Sequence, residues 1–436
     1  MTPPTTDGTD GGDHASCTCP QDGSTVSRRA VLRAGGAVGA LALLASAAGS
    51  LVHTQVAYAA PTYTGDTLVV LSLRGGFDGL SAVAPVADPS YLAARPTIGI
   101  PASRAIQLDG RFGLHPALAA LRPYYQAGTF GAVHAVGQLN PTRSHFAAME
   151  DMEKAAPGSS LRTGWIDRMV GLAGSPSPFA ATVMGSTTAP SSFIGPSPEV
   201  TMRSVDTFQL SGAGTAADRA RWDAAIRGLY AGAPSTLATP ALATLGLLGT
   251  TAQLKAAPYT PAAGATYPAG DLGNALRDVA RLIKSGVGVR VAAVDVGDWD
   301  MHVNLGRPDS GWMFTRLTEL GQALAAFARD LGAGLDNVTL VTLSEFGRRV
   351  AENGSGGLDH GHGNVSLLLG GGVAGGKVHG VWPGLSAPAL VNGDLAGTTD
   401  YRTILAEILE KRCRVSASTV FPGLPSARLG VVRQKA

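Results

Sequence analysis

The sequence predicts an α/β fold in which a doubly wound, mostly parallel sheet is flanked by helices. Two observations predict it. Continuous apolar runs rich in β-branched residues, such as 67–73 and 338–343, are typical of strands buried in a parallel sheet. These runs alternate with segments of helical periodicity, such as 272–285, and strand–helix alternation favours a parallel sheet. Because 45% of the residues are hydrophobic, the chain can also bury a large core.

Each further element follows from its local pattern. The helix at 272–285 is amphipathic because Leu276, Val279 and Leu282 form one apolar stripe. Pro123 marks a break in the helix that begins after His115. The predicted strands are 67–73, 131–136, 289–296, 338–343 and 365–369. The predicted helices are 116–127, 144–155, 161–173, 216–231, 245–255, 272–285, 312–331 and 401–411.

Residues 1–59 are predicted to be a disordered n-region followed by a secretory signal. Paired arginines (Arg28 and Arg29) precede an apolar run at 34–52 and a small-residue cleavage site at 57–59. The arginine pair resembles a twin-arginine signal, so we expect the twin-arginine export machinery to be a partner. The protein is then expected to be periplasmic or extracellular, with no stable membrane anchor after cleavage. The alternative interpretation of the apolar run is a single transmembrane anchor.

The rest of the chain, residues 60–436, is predicted to form a single α/β domain with a loop-rich insertion around 174–270. Charged residues make up 15%, the net charge is +2 and like charges form no block, so nucleic acid is not an expected partner. Cys413 is the one cysteine outside the leader, so no intrachain disulfide is expected. The run 371–377 resembles a phosphate-binding loop, but Val378 follows where Ser or Thr is needed, so no nucleotide cofactor is expected.

Polar side chains follow several of the predicted strands. Asp78 comes after the first strand, where it is a candidate metal ligand or part of an oxyanion site. The alternative is a helix cap beside turn glycines. Asp300 and His302 follow the strand at 289–296, and their spacing suits a hard or borderline cation.

A second polar group surrounds the strand at 338–343. Glu345 follows that strand, and Asp359, His360 and His362 precede the next one. Of the seven histidines outside the leader, four lie at strand-to-loop junctions beside Asp, Glu or Ser, which favours metal or acid–base chemistry over scattered core histidines. These four are His145, His302, His360 and His362.

Ser144 lies at the start of the helix at 144–155. The residue is well placed as an N-cap. It is also well placed as a nucleophile, because a helix N-terminus favours an anionic oxygen.

Besides the twin-arginine leader, the chain contains the motifs LVVLSLRGGFDGL (68–80), PTRSHF (141–146), DWDMHVN (298–304), LSEFGRRVAENGSGGLDHGHG (343–363) and VWPGL (381–385). Together these motifs resemble the DUF1501 family of exported bacterial proteins, a family of unknown function. That family is distantly similar to the alkaline phosphatase and sulfatase superfamily. The resemblance therefore implies an alkaline phosphatase-like fold.

The superfamily resemblance also implies roles for single residues. Ser144 would be the nucleophile, His145 an acid or base, and Arg74 or Arg348 a clamp for the substrate anion. Phe346 departs from the superfamily pattern, because it stands where a metal-binding histidine is usual. The metal ligands would be Asp78, Asp300, His302 and Glu345, with the missing nitrogen supplied from the cluster of Asp359, His360 and His362.

The expected function is a metal-dependent hydrolase of phosphate or sulfate esters. The resemblance implies a divalent metal ion (zinc, calcium, magnesium or manganese) as cofactor and a small anionic ester as substrate. The alternative is a non-catalytic exported protein that retains a degenerate site and binds a polyanion or a partner protein. Phe346 favours this alternative.

Overall fold

A computed structural model describes residues 64–174, 177–256 and 258–435. The predicted signal, its cleavage site and the predicted domain boundary at residue 60 lie outside these ranges. None of the helices within them combines the length and the hydropathy that a membrane span requires.

Strands of two to eight residues are distributed along the whole described chain. In chain order they are β1 (Thr67–Leu73), β2 (Val83–Ala84), β3 (Ile106–Gln107), β4 (Gly113–Leu114), β5 (Phe130–Gly137), β6 (Ala181–Met184), β7 (Val200–Met202), β8 (Val291–Val296), β9 (Val338–Leu343), β10 (Asn364–Gly370), β11 (Val378–His379), β12 (Leu390–Val391), β13 (Asp394–Leu395) and β14 (Thr399–Asp400).

Helices alternate with the longer strands. They are α1 (Gly79–Ala82), α2 (Pro89–Ala94), α3 (Arg122–Gln126), α4 (His145–Lys154), α5 (Trp165–Ala173), α6 (Ala216–Leu229), α7 (Ser235–Lys255), α8 (Asp271–Lys284), α9 (Trp312–Leu331), α10 (Tyr401–Lys411) and α11 (Ala417–Val420). Short 3₁₀ turns cover Pro116–Leu121, Ser191–Phe193, Gly332–Asn337 and Ala387–Ala389. α7 begins ten residues earlier than predicted, because the helix accommodates Pro240 near its N-terminus.

A mixed, mostly parallel sheet of nine strands forms the centre of the described residues, which confirms the predicted α/β class. Eight strands follow the order β11-β5-β10-β9-β1-β8-β6-β7, and β14 pairs with β5 beside them. β1 runs parallel to both β8 and β9. β10 runs antiparallel to both β9 and β5, so the sheet is not wholly parallel.

Helices cover both faces of this sheet. Alternate side chains of β1 point to opposite faces: Val69 and Leu71 join one apolar core with α8 and α9, while Leu68 and Val70 join a second core with α5 and α10. Because apolar side chains emerge on both faces, the strand reads as one continuous apolar run in the sequence.

The segment 174–270, predicted as a loop-rich insertion, contributes β6 and β7 to the edge of the sheet. These strands have four and three residues, too few for a clear periodic pattern in the sequence. α6 and α7 account for much of the remaining segment.

The connections that carry the polar motifs meet at one edge of the sheet, which we call the carboxyl edge. β1, β8 and β9 are parallel and end together, with Leu73 level with Val296. β10 runs the opposite way and begins at this edge, where Asn364 pairs with Val136 near the end of β5. The connections after β1, β5, β8 and β9, and the one before β10, therefore lie side by side.

Candidate metal centre

Three histidines and one aspartate meet at the carboxyl edge, and we call them the histidine cluster: His145, Asp300, His302 and His360. His360 Nε2 lies 3.0 Å from His145 Nε2 and 2.9 Å from His302 Nε2. Asp300 Oδ1 lies 3.0 Å from His302 Nε2 and 3.1 Å from His360 Nε2. Ligand atoms of His145, Asp300 and His360 all lie within 4.8 Å of one another. His360 Nε2 is therefore in contact with two further ring nitrogens and a carboxylate oxygen.

Glu345 holds the His145 ring by its Nδ1 atom, the nitrogen that does not face the cluster. Its Oε1 lies 2.7 Å from His145 Nδ1 and accepts a hydrogen bond of 2.8 Å from the Gly75 N–H. Its Oε2 accepts a hydrogen bond of 3.2 Å from the Ser344 hydroxyl. Because Glu345 is buried and points at Nδ1, the structure places it behind a cluster histidine.

The other two imidazoles are held in the same way. His302 Nδ1 lies 3.1 Å from Asp359 Oδ1, and His360 Nδ1 lies 2.8 Å from the carbonyl oxygen of Arg143. The hydrogen bonds from His302 and from Asn353 lower the pKa of Asp359, so this carboxylate is ionised at neutral pH. Asp359, like Glu345, therefore orients a histidine.

These contacts fix which ring nitrogen carries the proton. A carbonyl oxygen can only accept, so His360 Nδ1 is the donor, and the carboxylate oxygens of Glu345 and Asp359 face Nδ1 of His145 and of His302 in the same way. In a ring whose proton is on Nδ1, Nε2 carries a lone pair, and His360 Nε2 lies at contact distance from the Nε2 atoms of both His145 and His302. Such lone pairs repel unless a cation lies between them. Metal-binding histidines show this pattern, with the second nitrogen donating to a carboxylate or a backbone carbonyl.

Asp300 is held in its ionised form. Burial by itself raises the pKa of the carboxyl, but the hydrogen bond from Arg348 and the charge of its guanidinium outweigh this effect and lower the pKa to about 2. The Arg348 Nη2–Asp300 Oδ1 distance is 2.6 Å. A ligand must be deprotonated to bind a metal, and Asp300 meets this condition at any neutral pH.

Arg348 is bound to internal groups of the carboxyl edge. It is buried and donates to the carbonyl oxygens of Gly76 at 2.6 Å and Leu358 at 2.8 Å. It also contacts the carbonyls of Gly75 and Trp299. Arg348 was predicted as a candidate anion clamp, but its guanidinium is buried at the carboxyl edge. There it connects the segments that follow β1, β8 and β9 through hydrogen bonds.

Arg74, the other predicted clamp, also has partners within the protein. Its guanidinium pairs with Glu153 at 2.6 Å and with Asp295 at 2.7 Å. A further contact of 2.7 Å reaches the Met149 sulfur on α4. Arg74 therefore joins the end of β1 to α4.

Ser144 is exposed and precedes the cluster residue His145. It occupies the N-cap position of α4, as predicted, but its side chain makes no capping hydrogen bond. The hydroxyl is therefore exposed and is not used as a cap of α4.

The structure does not bring Asp78 into the cluster. Its carboxylate lies 2.7 and 2.9 Å from the two terminal nitrogens of Arg95, and both residues are buried. Burial opposes ionisation of Asp78, but the charge of Arg95 and its hydrogen bonds lower the pKa below its ordinary value. Asp78 is not a capping side chain of α1 either. It serves as one half of a buried ion pair.

His362 also lies apart from the cluster. Its Nε2 is 3.2 Å from the carbonyl oxygen of Gln138, and burial lowers the pKa of the ring. Gly137 and Gly397 lie so close to the imidazole that a Cβ at either position would collide with it. Of the two histidines left open by the sequence, only His360 joins the cluster.

Phe346 forms an apolar floor under the cluster. Its ring centroid is 4.8 Å from those of His145 and His360, and the side chain is 4% exposed. Gly76 approaches the same ring so closely that an added Cβ would lie 2.6 Å from it, at a φ of +68°. Phe346 therefore packs against two imidazoles of the cluster and offers no ligand atom.

Three contributors to this region were missed in the sequence. The carbonyl of Arg143 and the N–H of Gly75 lie in the motifs 141–146 and 68–80, but a backbone group leaves no residue-specific signal in a sequence. Arg95 stands in an ordinary polar context, and only the folded chain places it against Asp78.

The fold and the cluster define an α/β protein with a candidate metal centre at the carboxyl edge of a mixed sheet. Residues 245–410 match the model of the family described as "Protein of unknown function (DUF1501)", which confirms the family that the motifs indicate. The matched residues include Asp300, His302 and His360, whereas His145 lies outside them. No curated protein matches the chain.

Proposed function

We propose that the protein is a metal-dependent hydrolase of phosphate or sulfate esters, with a divalent ion held by His145, Asp300, His302 and His360. The observation that supports this proposal most is the contact of His360 Nε2 with the Nε2 atoms of both His145 and His302, while the Nδ1 atom of each ring faces an acceptor oxygen. Among zinc, calcium, magnesium and manganese, this nitrogen-rich ligand set favours zinc or manganese, because calcium and magnesium prefer oxygen ligands.

A divalent ion at this position supplies Lewis acidity, which polarises a phosphoryl or sulfuryl oxygen. The protein's own contribution is orientation. Glu345, Asp359 and the Arg143 carbonyl hold the three rings, and Arg348 keeps Asp300 ionised and in place. The cluster is open to a small anionic ester, since the side chain of His302 is 40% exposed.

Ser144 is the proposed nucleophile. Its hydroxyl is exposed at the N-terminus of α4, where the positive end of the helix dipole favours an anionic oxygen. The first backbone N–H groups of a helix have no partner within the helix, and Ser144 does not cap them. In this proposal these N–H groups accept the substrate anion, because Arg74 and Arg348 are paired with carboxylates of the protein.

We also propose the alkaline phosphatase-like, doubly wound form of the fold. The helices on both faces of the sheet support it. Export by the twin-arginine route to the periplasm or the cell exterior is proposed on the pattern around Arg28 and Arg29 alone. Replacement of both arginines by lysine in a reporter fusion tests it, and continued export would reject the route.

One observation favours a second function, that of a non-catalytic protein that binds a polyanion. The two arginines predicted as anion clamps, Arg74 and Arg348, are both paired with carboxylates of the protein, so neither is free to stabilise charge that develops during ester cleavage. In this case the cluster would hold a metal ion for binding and not for turnover.

One experiment separates these functions. The purified protein is analysed for metal, and then assayed with aryl phosphate and aryl sulfate in the presence of zinc, manganese, calcium or magnesium. A bound ion and turnover that Ser144→Ala and His360→Ala abolish would support the hydrolase. A bound ion without turnover would favour the binding protein, and wild-type protein that holds no metal would reject the centre.

A further inference from the structure

A second candidate site lies in a cavity of about 750 Å³ that shares no lining residue with the histidine cluster. It is bounded by the turn between β3 and β4, the start of α2, and the loop after β11 that contains the motif VWPGL (381–385). A cavity of this size is in the range of small-molecule sites. The proposed hydrolase activity makes no use of it, so the cavity requires a separate explanation.

One wall of the cavity is an aromatic platform made by Trp382. The indole lies perpendicular to two rings that stack on each other, at 5.2 Å from Phe112 and 4.7 Å from His134. His134 cannot turn toward a ligand, because its Nε2 donates to the carbonyl of Val83 and its Nδ1 accepts from the N–H of Ala135. The two stacked rings therefore fix the plane of the indole that lines the cavity.

Polar groups with unused hydrogen-bonding capacity stand beside this platform. Asp109 Oδ1 closes a turn by accepting from the N–H groups of Arg111 and Phe112, both at 2.8 Å. Its Oδ2 and the exposed guanidinium of Arg111 have no hydrogen-bond or ion-pair partner among the described residues. The cavity thus offers a carboxylate acceptor and a forked donor next to a flat apolar surface.

We propose that the Trp382 cavity binds a saccharide. A sugar ring has an apolar face of C–H groups that packs on an indole, and an edge of hydroxyls that both donate and accept. Asp109 and Arg111 match that edge, because neighbouring hydroxyls can donate to the carboxylate and accept from the guanidinium. An apolar ligand would leave both charged groups unpaired, and a simple anion would not need the indole.

Titration calorimetry and ligand-observed NMR test this with methyl glucoside, cellobiose, chitobiose and glucuronate as probes. We expect one or more to bind the wild-type protein, and Trp382→Ala to weaken that binding by at least about tenfold. Arg111→Ala removes an exposed side chain and should fold normally, so it keeps the test valid if Trp382→Ala does not fold. Trp222→Ala is the matched control, because this partly exposed indole lines a different cavity.

The outcomes are distinct from those of the hydrolase. Binding that is lost in Trp382→Ala and Arg111→Ala but kept in Trp222→Ala and in the metal-site variant His360→Ala would establish the saccharide site. The proposal is overturned if no probe binds the wild-type protein at about 10 mM, or if Trp382→Ala and Arg111→Ala bind as the wild-type protein does.

Discussion

His145 and His360 are 215 residues apart in the chain, yet their Nε2 atoms lie 3.0 Å from each other. Each ring is held by its other nitrogen, one by the carboxylate of Glu345 and the other by a backbone carbonyl. Two neutral rings oriented in this way repel each other, and a cation between them removes the repulsion.

Replacement of His360 by alanine should abolish stable metal binding, whereas His362→Ala should retain it. His360 Nε2 contacts three cluster atoms, but His362 contacts the carbonyl of Gln138 outside the cluster. Metal content after dialysis measures the difference between these two near neighbours. Equal loss from both variants would show that the cluster has been assigned incorrectly.

Glu345→Gln should weaken metal affinity by about 10- to 100-fold without unfolding the protein, because a neutral amide holds the His145 ring less firmly in the required tautomer. Competition with a chromogenic chelator gives the affinity. The control is Glu150→Gln, a change of an exposed residue in the helix that carries His145, and it should leave the metal affinity unaltered. A normal affinity in Glu345→Gln would mean that this carboxylate does not act on the ring.

Asp78→Asn should lower the free energy of unfolding by about 3–5 kcal/mol, because the Arg95 guanidinium would remain buried without its counter-charge. Metal content should not change, since Asp78 lies outside the cluster. Urea unfolding together with metal analysis checks both parts. If the Asp78→Asn protein were folded but had lost its metal, the prediction would be wrong and Asp78 would be a metal ligand.

The free energy of unfolding should fall as the pH is lowered from 6.5 toward 4. Burial lowers the pKa values of His134 and His115 to about 4, from an ordinary value of 6.5. As the pH falls, the unfolded chain therefore takes up these protons before the folded chain does. The contribution of the two neutral rings to stability is complete above pH 6.5 and is lost progressively as the pH falls from 6.5 to about 4. Each ring accounts for up to about 3 kcal/mol. Denaturant unfolding across this range should show a smaller slope for His134→Gln, and an unchanged slope would contradict the assignment.

Much of the fold could be predicted because its strongest signals are local. β1 and β9 have the predicted bounds, since each is a continuous apolar run that ends at charged residues. The direction of β10 could not be predicted from such a run. No helix lies between β9 and β10, and without a helical crossover β10 returns antiparallel to β9.

The cluster could be predicted to the extent that its residues lie at strand ends. Asp300, His302 and His360 stand there, and the parallel strands bring them together. The sequence could not distinguish a ligand from a residue behind a ligand, so Glu345 and Asp359 were grouped with the metal-binding side chains. It also could not show that Arg348 faces inward, because burial of a charged residue depends on carbonyls that come from several connections.

The strand order of the sheet shows whether the segment matched by the family model could fold without the rest of the chain. Residues 245–410 supply β8 and β9, but these strands do not touch each other, since β1 lies between them. β5 likewise lies between β10 and β11. The matched segment is therefore threaded through a larger sheet and is not an autonomous module. Excised as a fragment, it would lack the strands that join its own parts, along with the helix that carries His145.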